Sequence, residues 1–84
     1  MNISVEIKDG NQLERLRTEG GEVEISVDEE GLDYLLSQLR FLKENRTDHV
    51  HFMTSGWGGG ELTERLQNAE NLLVHHLRIL LLAS

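Results

Sequence analysis

Two segments near the start of the chain alternate apolar and polar residues with a period of two. The apolar positions are Ile3, Val5 and Ile7 in residues 2–8, and Val23, Ile25 and Val27 in residues 22–27. This alternation of β-branched residues predicts two half-buried strands with their apolar rows toward the core. We expect the strands to pair antiparallel, with Glu22, Glu24 and Ser26 facing water. Residues 12–19 between them fit neither period, so we expect an irregular connection there.

Residues 29–44 have the pattern of an amphipathic helix. Its apolar stripe consists of Leu32, Leu35, Leu36, Leu39 and Leu42. This spacing places the leucines on one helical face, which is expected to pack on the sheet. Asp28 is the predicted N-cap. Asn45 is the residue predicted to end the helix in the left-handed conformation.

The second half of the chain contains one alternating and one strongly apolar segment. Residues 48–54 predict a strand, and the four glycines in residues 56–60 predict a loop. Residues 61–65 fit either a short strand or a helical turn, and residues 67–71 predict a surface loop. Residues 72–82 would make a helix without a polar face, which so small a domain cannot bury. We therefore predict a strand over residues 75–82.

These elements predict one α+β domain over residues 1–84. The order is ββαββ, a small and mostly antiparallel sheet with one amphipathic helix packed on one face. A chain of 84 residues has room for a single domain, and about 60% of its unfolded surface is buried on folding.

The charge of the chain is uneven. The net charge is −7, and the whole excess lies in residues 1–33. Acidity disfavours a nucleic-acid partner, which requires a basic patch, and favours a basic protein partner. The alternative is that the acidity serves solubility alone. The acidic side chains expected to form a compact docking patch are Glu22, Glu24, Glu29, Glu30 and Asp33.

Composition excludes several other classes of protein. The longest uncharged apolar run, residues 79–83, is far shorter than the roughly 20 residues that span a bilayer. The N-terminus has neither the basic nor the apolar region of an export signal. The chain has no cysteine, which fits a reducing compartment. We expect a complete, cytoplasmic protein that contacts no membrane and needs no cofactor.

His49 and His51 lie two residues apart on a predicted strand, so both imidazoles point the same way. Such a pair could supply two zinc ligands, with His75 or His76 and a carboxylate such as Glu61 completing the site. Neither a cysteine nor a His-Glu-x-x-His helix supports this reading. The alternative is two histidines on the less buried face of a strand.

Catalysis is not expected. Thr54 and Ser55 lie near the histidines, but the Gly-x-Ser-x-Gly context of a nucleophile is missing. One helix on a small sheet also provides little wall for a substrate pocket. The glycine loop matches no phosphate-binding motif. Trp57 within this loop either folds back to cap the core or serves as an interface anchor, a role in which tryptophan is enriched.

Part of the chain resembles a known family. The resemblance rests on Asp-His-Val-His-Phe-Met-Thr at residues 48–54, Trp-Gly-Gly at 57–59, Glu-Leu at 61–62, and residues 71–79. It covers roughly residues 27–81, and the chain is similar there to the immunity-protein-thirty-two family of bacterial polymorphic toxin systems. Ser55-Gly56 and Gly60 depart from the family pattern. The resemblance implies a protein that binds and neutralises a toxin made by the same cell, and it implies no reaction.

Three functional hypotheses remain open at this point. The first is a non-catalytic protein that occludes a cognate toxin, such as a nuclease with a basic active site. The second is a metal- or small-ligand-binding domain that uses His49 and His51. The third is a homo-oligomeric domain, such as a homodimer, paired through the apolar C-terminal strand and without a separate activity.

Overall fold

The computed structural model describes residues 1–82 of the chain. Its elements are β1 (Ile3–Ile7), α1 (Leu13–Glu19), β2 (Val23–Val27), α2 (Glu29–Asn45), β3 (His49–Met53), a 3-10 turn (Ser55–Trp57), β4 (Leu72–Leu73) and β5 (His76–Leu80). The predicted α+β class is confirmed. The ββαββ order fits apart from a second helix, α1, and a two-residue strand, β4, and the strands form two small sheets where one was expected. No helix in the described part of the chain is long and apolar enough to cross a membrane.

The helix α1 occupies the segment for which an irregular connection was expected. It buries none of its residues, so local interactions account for it. Arg15 Nε lies 2.8 Å from Glu19 Oε2, an ion pair across one helical turn. Gly20, with a φ of 84°, ends the helix, and its N–H donates to the carbonyl of Leu16. The ion pair and the glycine are thus two local features that favour a short helix here.

The strand β1 lies at the centre of a three-stranded sheet, between β2 and β4. The predicted antiparallel pairing of β1 and β2 is confirmed, with Ile3 opposite Val27 and Val5 opposite Ile25. β3 and β5 form a second antiparallel pair, in which His51 lies opposite Arg78. The predicted C-terminal strand is therefore also confirmed, as β5.

β4 pairs with β1, and β5, which follows it directly, pairs with β3. Only two residues separate β4 from β5. Val74 N–H donates to the Val5 carbonyl over 2.9 Å, and the His75 carbonyl accepts from Thr54 N–H over 3.0 Å. The chain therefore links the two sheets through its own backbone at residues 74–75.

The core draws on both sheets and on α2. Its buried apolar residues are Ile3, Val5, Leu42, Val50, Phe52 and Leu62. The ring of Tyr34 meets that of Phe52 edge-on, with 6.1 Å between centroids. At Gly31 the backbone of α2 approaches β1 so closely that a Cβ would lie 2.9 Å from Ile3 Cγ1. The start of α2 therefore packs on the apolar side of β1.

Only part of the leucine stripe of α2 faces the core. Leu42 is buried and Leu35 is partly buried, whereas Leu32, Leu36 and Leu39 are more than one third exposed. The contact of Tyr34 with β3 sets the rotation of the helix. The three exposed leucines lie on the flank that turns away from β3, so the prediction that the whole stripe packs on the sheet is wrong.

The ends of α2 are close to those predicted. Asp28 is the N-cap, and its Oδ1 accepts a hydrogen bond from Gly31 N–H over 2.7 Å. Arg46, not Asn45, takes the left-handed conformation, with a φ of 52°. Asn45 stays helical and its Nδ2 donates to the Phe41 carbonyl, so the helix runs one residue further than expected.

Both faces of β1 are buried, whereas the alternation predicted that one would face water. Ser4 and Glu6, on the face opposite Ile3 and Val5, are only 2% and 1% exposed. Residues 66–71 cover this face. Within this segment, the Gln67 N–H donates a hydrogen bond to Glu6 Oε2 over 2.8 Å.

Candidate functional site

The strand β2 is the open edge of the three-stranded sheet. Val23, Ile25 and Val27 lie opposite the residues of β1 that face α2, as predicted, but no helix covers them. Their exposed fractions are 60%, 47% and 36%. The apolar row of β2 is therefore on the core side of the sheet but outside the core.

The acidic candidates are all exposed, but they do not lie on one face. Glu22 and Glu24 point to the face of the sheet opposite α2, where Glu24 Oε1 accepts from Asn71 Nδ2 over 3.2 Å. The other three, Glu29, Glu30 and Asp33, lie in the first turns of α2. The acidic side chains therefore lie in two groups, one on the face of β2 opposite α2 and one at the start of α2, where Glu30 Oε1 lies 3.6 Å from the N-terminal amine of Met1. They do not form the single compact patch that was expected.

Asp28 joins these acidic groups at the end of β2. Its Oδ1 accepts from Gly31 N–H and from Asn2 N–H, the latter over 3.0 Å. These backbone hydrogen bonds hold the pKa of the Asp28 carboxyl below its usual range. The side chain thus stays ionised and fixes the turn between β2 and α2.

Trp57 lies in a turn that its neighbouring glycines make possible. Gly58 has a φ of 93°, in the left-handed region that glycine enters without strain. At Gly59 a Cβ would lie 2.6 Å from the Met53 carbonyl oxygen. The turn folds back on the end of β3, and this geometry requires glycine at both positions after Trp57.

Glu64 fixes the same turn from outside. Its Oε1 accepts from Gly56 N–H over 2.6 Å and from Ser55 Oγ over 2.9 Å. These hydrogen bonds lower the pKa of the Glu64 carboxyl. Glu64 was not among the sequence candidates, since nothing in the alternation pairs residue 64 with the glycine loop.

The side chain of Trp57 remains 58% exposed. Its ring stacks on His75, with centroids 5.9 Å apart and planes 11° from parallel. His75 Nδ1 lies 2.8 Å from Thr54 Oγ1, a buried hydroxyl. Trp57 therefore lies flat on a fixed imidazole and presents its other face outward.

The histidines of β3 form a row with those near β5. The rings of His49 and His51 are 5.6 Å apart, and so are those of His51 and His76. Glu61 lines the same cleft as His49 and His51. Within residues 1–82, however, no three side chains of the metal-binding types converge to hold an ion. The geometry gives the metal hypothesis no support.

A comparison with known families supports the resemblance. A family model described as Immunity protein 32 matches residues 22–77, which is about two thirds of the chain. No curated protein and no solved structure matches the chain significantly. The match begins at β2 and ends within β5, so it includes α2, β3 and the turn at Trp57. This chain belongs to the immunity protein 32 family.

Proposed function

We propose that this protein is a non-catalytic immunity protein that binds a cognate toxin in the cytoplasm and blocks its active site. Membership of the family over residues 22–77 is the observation that carries the proposal. The partner we infer is a protein with a basic active site, such as a nuclease. In such a complex the acidic side chains would occupy the positions of substrate phosphates.

The distribution of charge supports a basic partner. The five exposed acidic side chains lie at β2 and at the start of α2. Two basic groups lie beside them: the N-terminal amine of Met1 is 3.6 Å from Glu30 Oε1, and Lys8 Nζ is 4.0 Å from Glu22 Oε1. Exposed charges of one sign act mainly on the rate of encounter, since they steer the partner before contact is made. We infer that the acidic groups accelerate association and add less to the lifetime of the complex.

Trp57 is the residue we propose as an anchor of the interface. Its exposed ring is already held by the stack on His75 and by the turn that Glu64 and the glycines fix. A side chain ordered before binding loses little conformational entropy on binding. Tryptophan is also among the residues that most often dominate the energy of an interface.

A neutralisation assay tests the proposal directly. The probe is the protein that co-purifies with this chain from its native cell, identified by mass spectrometry and then expressed, as the toxin domain, with and without this chain in a sensitive host. Restored growth and a stable purified complex are expected. Growth arrest despite expression of the folded chain, together with no complex between the purified proteins, would contradict the proposal.

The kinetics of the complex test the role of the acidic groups. Replacing Glu22, Glu29 and Glu30 with lysine should slow association at low salt by about tenfold or more, with little change in dissociation. Reversing the exposed Glu44, Asp48 and Glu70, three acidic side chains outside the proposed set, is the matched control. Equal effects of the two sets would mean that the acidity serves only solubility.

The Trp57→Ala variant tests the anchor separately. Dissociation should become about 30-fold faster, the equivalent of about 2 kcal/mol at a hot spot, while the melting temperature stays unchanged. Phe41→Ala removes another exposed aromatic side chain, on α2, and serves as the control. A lower melting temperature with unchanged binding would show that Trp57 only stabilises the fold.

A further inference from the structure

The backbone of β2 offers hydrogen-bonding groups on its free side. Lys8 N–H donates to the Glu22 carbonyl, and Asp28 N–H donates to the Asn2 carbonyl. Hydrogen-bonded pairs alternate along an antiparallel ladder. The N–H and C=O groups of Glu24 and Ser26 therefore point to β1, and those of Val23, Ile25 and Val27 point away from it. No strand lies on that side within residues 1–82.

The edge has none of the usual protection against pairing. Natural edge strands are often interrupted by proline, by an inward lysine or by a bulge. β2 contains no proline and no lysine, and it pairs with β1 residue for residue over its full length. The three residues with outward backbone groups are also those with exposed apolar side chains. An unprotected apolar edge of five residues is suited to accepting another strand.

The surroundings of the edge define the segment that fits it. On the α2 side, an added strand would meet the apolar row of β2 and the exposed Leu32 and Leu36. On the opposite side it would meet the carboxylates of Glu22 and Glu24. Side chains of a strand alternate between the two faces. A complementary segment therefore has apolar residues at every second position and basic residues between them.

We propose that the toxin adds such an extended, alternately apolar and basic segment to β2 as a further strand of the sheet. This inference rests on the proposed function and names the binding mode of the same surface. Main-chain hydrogen bonds to Val23, Ile25 and Val27 provide the pairing, and the side-chain pattern provides the selectivity. The carboxylates of Glu22 and Glu24 then pair with the basic side chains of the added strand.

A second copy of the chain fits the edge less well. An antiparallel pair centred on Ile25 would place Val23 opposite Val27, with apolar contacts throughout. It would also place Glu22 of each copy opposite Asp28 of the other, and like charges directly opposite in a strand pair are destabilising. Charge therefore favours a basic partner over self-pairing.

Amide hydrogen exchange in the free chain and in the purified complex with the toxin domain tests the proposal. The amides of Val23, Ile25 and Val27 should exchange rapidly in the free chain and about tenfold or more slowly in the complex. The amides of Glu24 and Ser26, already bonded to β1, are the internal control and should be slow in both. The molecular mass of the free chain is measured at the same concentrations by light scattering.

The Ile25→Pro variant tests the backbone role. It removes an N–H that β1 does not use and blocks strand addition, so toxin affinity should fall at least about tenfold. Ile25→Thr keeps the outward N–H and should bind more tightly than Ile25→Pro. If circular dichroism shows that Ile25→Pro is unfolded, Ile25→Lys replaces it, because an edge lysine disfavours pairing and leaves the N–H bonds to β1 intact.

Each outcome decides between distinct conclusions. If a neutralising complex forms and the three outward amides remain unprotected, the toxin binds elsewhere, and only the strand-addition proposal is overturned. If the outward amides are protected in the free chain and its mass is doubled, the edge pairs with a second copy. If no complex forms at all, the proposed function is overturned and this inference with it.

Discussion

Asn71 and Glu6, which are 65 residues apart in the chain, are joined by a buried hydrogen bond of 2.9 Å from Nδ2 to Oε1. Glu6 also accepts from Ser4 Oγ and from Gln67 N–H. No ion pair to Glu6 forms within residues 1–82. A buried carboxylate is thus satisfied by neutral donors alone, and these donors hold residues 66–71 against β1.

Replacing Asn71 with alanine should lower the free energy of unfolding by about 1–3 kcal/mol. The variant removes a donor to a buried carboxylate and leaves part of its desolvation uncompensated. Urea denaturation measures the loss. Asn11→Ala, at an exposed position, is the control and should be within about 0.5 kcal/mol of the parent. Equal stability of the two variants would show that the contact with Glu6 contributes nothing.

The stability of the fold should depend on pH through Glu6. Burial raises the pKa of this carboxyl, but the hydrogen bonds from Ser4, Gln67 and Asn71 together outweigh it, so the pKa is lowered. The resulting stabilisation is present in full above the pKa of an unfolded glutamate. It is lost as the pH falls from there through the lower pKa of the folded state.

Urea denaturation at a series of pH values, on the parent and on Glu6→Gln, checks this dependence. Glu6→Gln should be less stable at neutral pH, because its NH2 group replaces one of the two acceptor oxygens and then faces another donor, either Asn71 Nδ2 or Gln67 N–H. Its stability should also fall less steeply on acidification. Identical slopes for the two proteins would assign the acid sensitivity to other carboxylates, of which Asp28 and Glu64 also have lowered pKa values.

The two classes of leucine on α2 should respond differently to truncation. Leu42→Ala leaves a cavity in the core and should cost about 2–5 kcal/mol. Leu36, 52% exposed, loses few contacts when shortened, and Leu36→Ala should stay within about 0.5 kcal/mol of the parent. Thermal and urea unfolding measure both. A large loss at Leu36 would place that side chain in the core.

The glycines after Trp57 provide a matched pair of substitutions. Gly59→Ala forces a Cβ against the Met53 carbonyl and should cost about 1–3 kcal/mol. At Gly60 a Cβ would meet nothing within 4 Å, so Gly60→Ala should be neutral or slightly stabilising. Chemical denaturation followed by tryptophan fluorescence reports both the stability and the turn. Equal effects would mean that the turn does not require a close approach at Gly59.

Alternation and helical periodicity predicted most of the fold. The strands β1, β2, β3 and β5 and the helix α2 lie within a few residues of their predicted positions. The apolar residues of β1, β2 and β3 also share the predicted side of each strand, because the antiparallel register follows them. The predicted burial was wrong for the apolar row of β2, which is exposed, and for the polar face of β1, which is buried. Periodicity does not show how much of each strand face is buried by the rest of the chain. Ser4 and Glu6 are buried by residues distant in sequence, and the apolar row of β2 is left exposed although α2 packs on the same side of the sheet.

The candidate site was predictable only as a set of residue types. Trp-Gly-Gly and the His-x-His strand indicated the family, and the family match agrees. The sequence did not separate the acidic residues into two groups, since that division depends on which face of β2 each side chain takes and on where α2 lies. The roles of Asn71 and Glu64 could not be predicted from the sequence pattern, because the groups they bind are brought close only by the fold.

The link at residues 74–75 has a consequence for how the protein is made. β1 is synthesised well before Thr63, Asn71 and Val74, which complete its free edge and its second face. At roughly 5–20 residues per second, the ribosome delivers those partners several seconds after β1. Native closure is therefore deferred until the last quarter of the chain has emerged, and until then the β1 edge is exposed in the nascent chain to any strand-like neighbour.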